Sequence, residues 1–241
     1  MRRSLVVVVI ALLVVAPARL SAQESPVAAL IAASEEDLNT FWSQAFTEYD
    51  LGEYEPPAGG VNAYEGATIV ETPCGETIAE NAFFCPTDKG IYYDATWFQA
   101  EYDKSQNNGF TVVGIMAHEW GHYIQDVLEQ ELQLENGHYS VEIELQADCL
   151  AGNFTRFIYD GNGTLEITQD DLKEGMNSFF DIGDDESVAW DDPDAHGTSA
   201  QRSQAFLMGY NQTVDICLDT SRIAEIANIE GDVTEEATPS N

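Results

Sequence analysis

Basic residues are scarce in this chain. Its 241 residues include nine lysines and arginines against 43 aspartates and glutamates, a formal net charge of −34. Three of the nine, Arg2, Arg3 and Arg19, lie in the first 22 positions, where no acid occurs, so the remainder is more acidic still. Such a chain is repelled by phosphate backbones, which excludes nucleic acid as a partner. Anionic membrane surfaces are disfavoured on the same ground. Long apolar runs are also missing: the longest candidate, residues 5–16, is short of the roughly 20 apolar residues a membrane span needs. There is no Cys-x-x-Cys pair, which argues against a thiolate zinc site, and no internal repeat. Aromatics reach 10% and apolar periodicity is strong, so general disorder is excluded and one domain is expected.

The N-terminus has the layout of an export signal. Arg2 and Arg3 precede the apolar run, and Leu20-Ser21-Ala22 offers a small-residue cleavage site after Ala22. The expected organisation is a signal peptide at 1–22, cleaved or retained as an anchor, and a linker or short helix at 23–33. A single domain follows at 34–220, with an acidic disordered tail at 221–241. Export makes a secreted or periplasmic location the expectation, with membrane attachment only if the segment is uncleaved. Four cysteines in an exported chain predict two disulfides in one of three connectivities. Local pairing of Cys74 with Cys85 leaves Cys149 with Cys217.

Periodicity makes the chain mostly helical. Ser34, followed by Glu35, Glu36 and Asp37, reads as a helix start, with Leu38, Phe41, Trp42 and Phe46 along one face. Residues 52–60, with Pro56-Pro57, read as a loop. Thr68-Ile69-Val70 and Ile91-Tyr92-Tyr93 are β-like and suggest a small antiparallel hairpin around the Cys74–Cys85 segment. Long helices are predicted over 110–128 and 140–159, then a helix opened by Thr168 and Asp171, and another over 199–209. The class is α+β.

Within the helix over 110–128 stands His118-Glu119-Trp120-Gly121-His122. Histidines at i and i+4 share a helix face, so both imidazoles can reach one cation. Glu119 projects beside the cation's open position, where it can accept a proton from water. Burying two histidines and a glutamate unpaired on an apolar helix would be costly, which weighs against a merely structural pair. A catalytic zinc requires a third protein ligand. Leu128 occupies the place a third histidine would take, so the search moves to the next helix, where Glu144 and Asp148 are again i, i+4 neighbours. Glu144 is the better ligand. Asp148 suits a supporting role, accepting a hydrogen bond from the far nitrogen of a ligand histidine. In so acidic a chain the bland alternative is a pair of solvated charges. Downstream, His196 could donate to a developing oxyanion, and Arg202 could pair with Asp148 rather than with a surface acid. His138 reads as surface, and Asp160-Gly161-Asn162-Gly163-Thr164 as a turn, because its ligand offsets do not fit a calcium loop.

His118 to His122, the stretch Glu144-Leu145-Gln146-Ala147-Asp148-Cys149-Leu150-Ala151-Gly152, and His196-Gly197-Thr198-Ser199-Ala200-Gln201-Arg202 together resemble the bacterial neutral zinc metallopeptidases. The Trp42 helix and the stretch from Cys85-Pro86 to Asp94 are also similar, so the likeness covers roughly residues 35–215. It implies a zincin-like α+β fold with a glutamate as third ligand. The six-residue His196 to Arg202 spacing is similar to that of membrane-associated zinc endopeptidases of the same broad class. There the histidine assists the transition state and the arginine braces the aspartate behind the ligand. Many family members keep an N-terminal anchor.

The reading is a secreted zinc metalloendopeptidase with one catalytic Zn²⁺, acting on a peptide or protein, its substrate pairing along the strand near Ile91. The alternatives are a non-catalytic zinc-binding module and a zinc hydrolase acting on a non-peptide amide.

Overall fold

The computed structural model describes residues 25–105, 108–132, 140–181, 183–185, 187–188 and 195–227. The expected signal peptide, His138 and the chain beyond Ala227 lie outside these residues.

The first helix, α1, runs from Pro26 to Glu48 without interruption. Its N-cap is Ser25, whose side chain accepts from the Ala28 N–H, and Pro26 supplies the preset φ of a first helical position. The expected start at Ser34 is therefore corrected, and of the two options for 23–33 the described residues follow the helical one, continuous with the rest of α1. Ser34 is buried mid-helix, and its Oγ donates to the Leu30 carbonyl at 2.8 Å, so its hydroxyl is satisfied locally.

Five short strands follow: β1 Gly60–Tyr64, β2 Glu71–Thr72, β3 Gly75–Glu76, β4 Ala82–Cys85 and β5 Gly90–Asp94. The main sheet has the order β1-β5-β4. β4 and β5 pair antiparallel, but β1 and β5 pair parallel, so the sheet is mixed and not the simple antiparallel hairpin expected. Residues 68–70 are not a strand. The small β2–β3 pair forms just beyond them, with Cys74 at its turn. A parallel partner thirty residues away leaves no local signature, which is why β1 was not legible.

Asp94, ending β5, caps α2 (Ala95–Lys104) by accepting from the Thr96 and Trp97 N–H groups. Two long helices come next, α3 Phe110–Leu132 and α4 Ser140–Tyr159. Then come α5 Gln169–Asp181, α6 Ser199–Asn211, α7 Val214–Leu218 and α8 Thr220–Ala227. Thr168 and Asp171 exchange hydrogen bonds at the head of α5, as the acidic capping box predicts. The boundary of the expected tail at 221 is corrected, because α8 buries Ile223, Ile226 and Ala227.

Helix α4 is the axis of the helical layer and packs on α3 and α6. Contact with α6 is backbone to backbone: a Cβ on Gly152 would fall 2.1 Å from the Phe206 carbonyl oxygen, and one on Gly209 would fall 1.8 Å from that of Cys149. Toward α3 the close point is Gly121, where a Cβ would meet the Ala147 Cα at 2.9 Å. Only glycine admits these separations. Disulfides join Cys74 to Cys85 and Cys149 to Cys217.

Candidate metal centre

Gly121 lies between His118 and His122 and lets the backbone of α4 approach α3 at that turn. The approach brings Glu144 to both imidazoles. His118 Nε2 lies 3.1 Å from Glu144 Oε2, and His122 Nε2 lies 3.4 Å from Oε1. The two Nε2 atoms are 3.1 Å apart. One donor atom from each residue of this trio lies within 4.8 Å of the others.

Each imidazole is oriented from behind. His118 Nδ1 lies 2.8 Å from Asp148 Oδ1, so Nδ1–H donates there and Nε2 is the nitrogen turned to the centre. Asp148 is fully buried and also accepts from Arg202 Nε at Oδ2 and Nη2 at Oδ1, both at 2.8 Å. Both expected supporting residues thus meet behind one ligand. His122 Nδ1 faces Gln125 Oε1 at 2.8 Å. Gln125 Nε2 donates to Gln146 Oε1, and Gln146 Nε2 to the Cys217 carbonyl. This amide relay went unread in the sequence. Its only signal is Gln125 three residues after His122 on the same helix.

The electrostatics match a cation. Burial would lower the His118 imidazole, but Asp148 and Glu144 outweigh it and push its pKa up to about 10. Burial would raise Glu144, and hydrogen bonding to His118 and His122 instead takes it far below the carboxylate range. Burial would likewise raise Asp148, and the Arg202 guanidinium reverses that. A two-nitrogen, one-oxygen donor set in a field that favours positive charge fits zinc.

Glu119 sits beside the trio with Oε2 accepting from the Phe84 N–H at 2.9 Å. That amide faces away from β5, so the outer edge of β4, one of the sheet's two edge strands, borders the site. The expectation that the strand at Ile91–Tyr93 lines the cleft is corrected: β5 is central and paired on both sides. A cavity of about 500 Å³ opens here, bounded by the ligand trio, Glu119, residues 80–84, Trp97 and Ile115. His196 lines it too, but at the rim, with its side chain 56% exposed. Its Nδ1 is 3.5 Å from Asp184 Oδ1, and its backbone N–H and that of Gly197 donate to Asp184 Oδ2.

Residues 15–220 match the family described as "Putative neutral zinc metallopeptidase". The chain belongs to this family. Among its relatives is the uncharacterized protein YpfJ of Escherichia coli (strain K12), 33% identical over 188 residues, 70% of this chain and 63% of that protein. Another is the uncharacterized protein Rv2575 of Mycobacterium tuberculosis (strain ATCC 25618 / H37Rv), 32% identical over 180 residues, 65% of this chain and 61% of that one. The matched region is thus less than two thirds of either relative. No solved structure matches the chain. Family membership and the His118, His122 and Glu144 cluster point to the same metal.

Proposed function

We propose that this family member is an exported zinc metalloendopeptidase that hydrolyses peptide bonds. The observation that carries the reading is Glu119, a carboxylate beside the ligand trio whose Oε2 is tied to the edge-strand amide of Phe84. A structural zinc has no need of a base, whereas hydrolysis does.

His118, His122 and Glu144 would hold the ion, which when bound supplies Lewis acidity toward water and a peptide carbonyl. The tie from Phe84 fixes Glu119 and leaves Oε1 to accept a proton from water as it attacks. Glu119 then passes that proton to the leaving nitrogen. His196, with Nδ1 toward Asp184, offers Nε2 to the carbonyl oxygen as charge grows on it. An extended substrate would lie along β4, using the free edge groups for main-chain pairing and the apolar wall at Trp97 and Ile115 for a side chain. Two disulfides support an oxidising compartment. No helix among the described residues is long and apolar enough to cross a membrane.

The test is digestion of a mixed peptide library by zinc-loaded protein, with and without chelator, beside Glu119→Gln. Cleavage abolished by chelator and by Glu119→Gln supports the reading. Cleavage by Glu119→Gln at the wild-type rate removes Glu119 from its role.

A further inference from the structure

Among the described residues, large apolar side chains exposed to solvent are few, and three fall in one short arm, residues 66–80. Ile69 is 67% exposed, Val70 40% and Ile78 68%. The arm is not a loose loop. Asp94 clasps both of its ends, Oδ1 accepting from the Gly66 N–H at 3.0 Å and Oδ2 from the Glu80 N–H at 2.9 Å. The Tyr64 hydroxyl lies within hydrogen-bond distance of the Ile78 and Asn81 carbonyls at its base. The Thr77 N–H donates to the Val70 carbonyl and the Val70 N–H to Thr77 Oγ1, which ties the two limbs of the arm together beside Ile69 and Ile78. At the turn, Cys74 is bonded to Cys85.

These ties fix where the arm lies. Its base at Glu80 adjoins the start of β4 and its turn is bonded to the end of β4, so it runs the length of the strand that borders the cleft. Glu80 itself lines the cavity. A backbone pinned at base and turn that still holds isoleucines in water is built to touch something. Its charge narrows the choice. Glu71, Glu76 and Glu80 are exposed along it, and no basic residue occurs between 61 and 88.

We propose that this arm is a docking surface for the polypeptide substrate, gripping a stretch in which apolar residues alternate with basic ones. The occupant is the substrate because the arm is continuous with the cleft edge along which an extended chain would lie. Ile69 and Ile78 take the apolar side chains, and the glutamates favour cationic neighbours. The proposal rests on the peptidase reading above and adds the class of substrate.

The experiment measures binding apart from cleavage, with Glu119→Gln protein loaded with zinc. A fluorescein-labelled peptide alternating leucine and lysine is titrated by anisotropy. A leucine and glutamate peptide serves as the charge control. Ile69→Ser/Ile78→Ser in the same background should raise Kd for the leucine–lysine peptide about tenfold or more, since two apolar contacts are lost. The leucine–glutamate peptide should bind at least about tenfold more weakly than its lysine counterpart. Equal unfolding midpoints for the two proteins establish that the serines act locally. An unchanged Kd overturns the proposal. So does wild-type protein that dimerises, or sediments with phosphatidylcholine vesicles, through these same isoleucines. Hydrolysis of short peptides by the wild-type protein reports on the peptidase reading alone, so the two can fail separately.

Discussion

Arg202 grips Asp148 through two hydrogen bonds of 2.8 Å, and the same Asp148 carboxylate holds His118 Nδ1. A guanidinium on α6 thereby sets the direction of an imidazole on α3 through a carboxylate on α4. All three groups are buried.

That arrangement makes the two distal residues one unit. Arg202→Ala leaves a buried carboxylate without its main counter-charge and should destabilise the fold by about 3–5 kcal/mol. Asp148→Ala should lower zinc affinity about 10–100-fold by freeing the His118 ring. The double variant should lose much less than the sum, as a denaturant-based double-mutant cycle will record. Simple additivity would mean the pair is not coupled.

Metal content separates ligand from base. Purified protein exposed to zinc should carry one ion per chain by elemental analysis. Glu144→Ala should lower occupancy, because it removes the only oxygen donor of the trio. Glu119→Gln should keep occupancy and lose hydrolysis. Equal metal loss in both would exchange the two roles.

His196 stands at the rim, so its effect should fall on the transition state and not on zinc. His196→Ala should lower kcat by about 10²–10³ with little change in KM, the size of a lost oxyanion donor. Asp184→Ala should reproduce much of that loss, because Asp184 accepts from two amides of the segment that carries His196. Steady-state kinetics of the double variant should match His196→Ala alone. A further drop would give Asp184 an independent part.

Acid should loosen the cleft border through Asp94. Burial would raise this carboxyl, but the amides of Glu80, Trp97, Gly66 and Thr96 hold it below its ordinary value. A group depressed in the folded state contributes stability that is present above its unfolded pKa and is lost as pH falls through its folded one. Asp94→Ala should cost about 3 kcal/mol at neutral pH, from a lost cap and two lost charged hydrogen bonds. Urea unfolding across an acid series should show a shallower loss of stability for Asp94→Asn than for wild type.

The helices that carry the centre were legible because their apolar faces are long and regular. The predicted span 140–159 coincides with α4, and the i, i+4 pairs at His118 and His122 and at Glu144 and Asp148 do meet across facing helices. What escaped was non-local. β1 joins β5 in parallel across an intervening arm, and no nearby residue announces such a pairing. The acids after Ser34 imitate a first turn, while the N-cap Ser25, nine residues earlier, and Pro26 carry the real start of α1. The amide relay behind His122 was invisible for another reason. A glutamine is marked as an orienting group only by what it touches.

The contact of Gly121 with Ala147 gives the centre a calibre. Two helices cross there with only the Ala147 methyl beside the bare glycine backbone, on the same helices that carry the histidine pair and Glu144. Widening the crossing by a single methyl, as in Gly121→Ala, would move the oxygen donor away from both nitrogens together. The variant would then favour a larger cation over a small one. Gly121 thus acts as a spacer whose value is its lack of a side chain at the point where α3 and α4 come closest beside the centre.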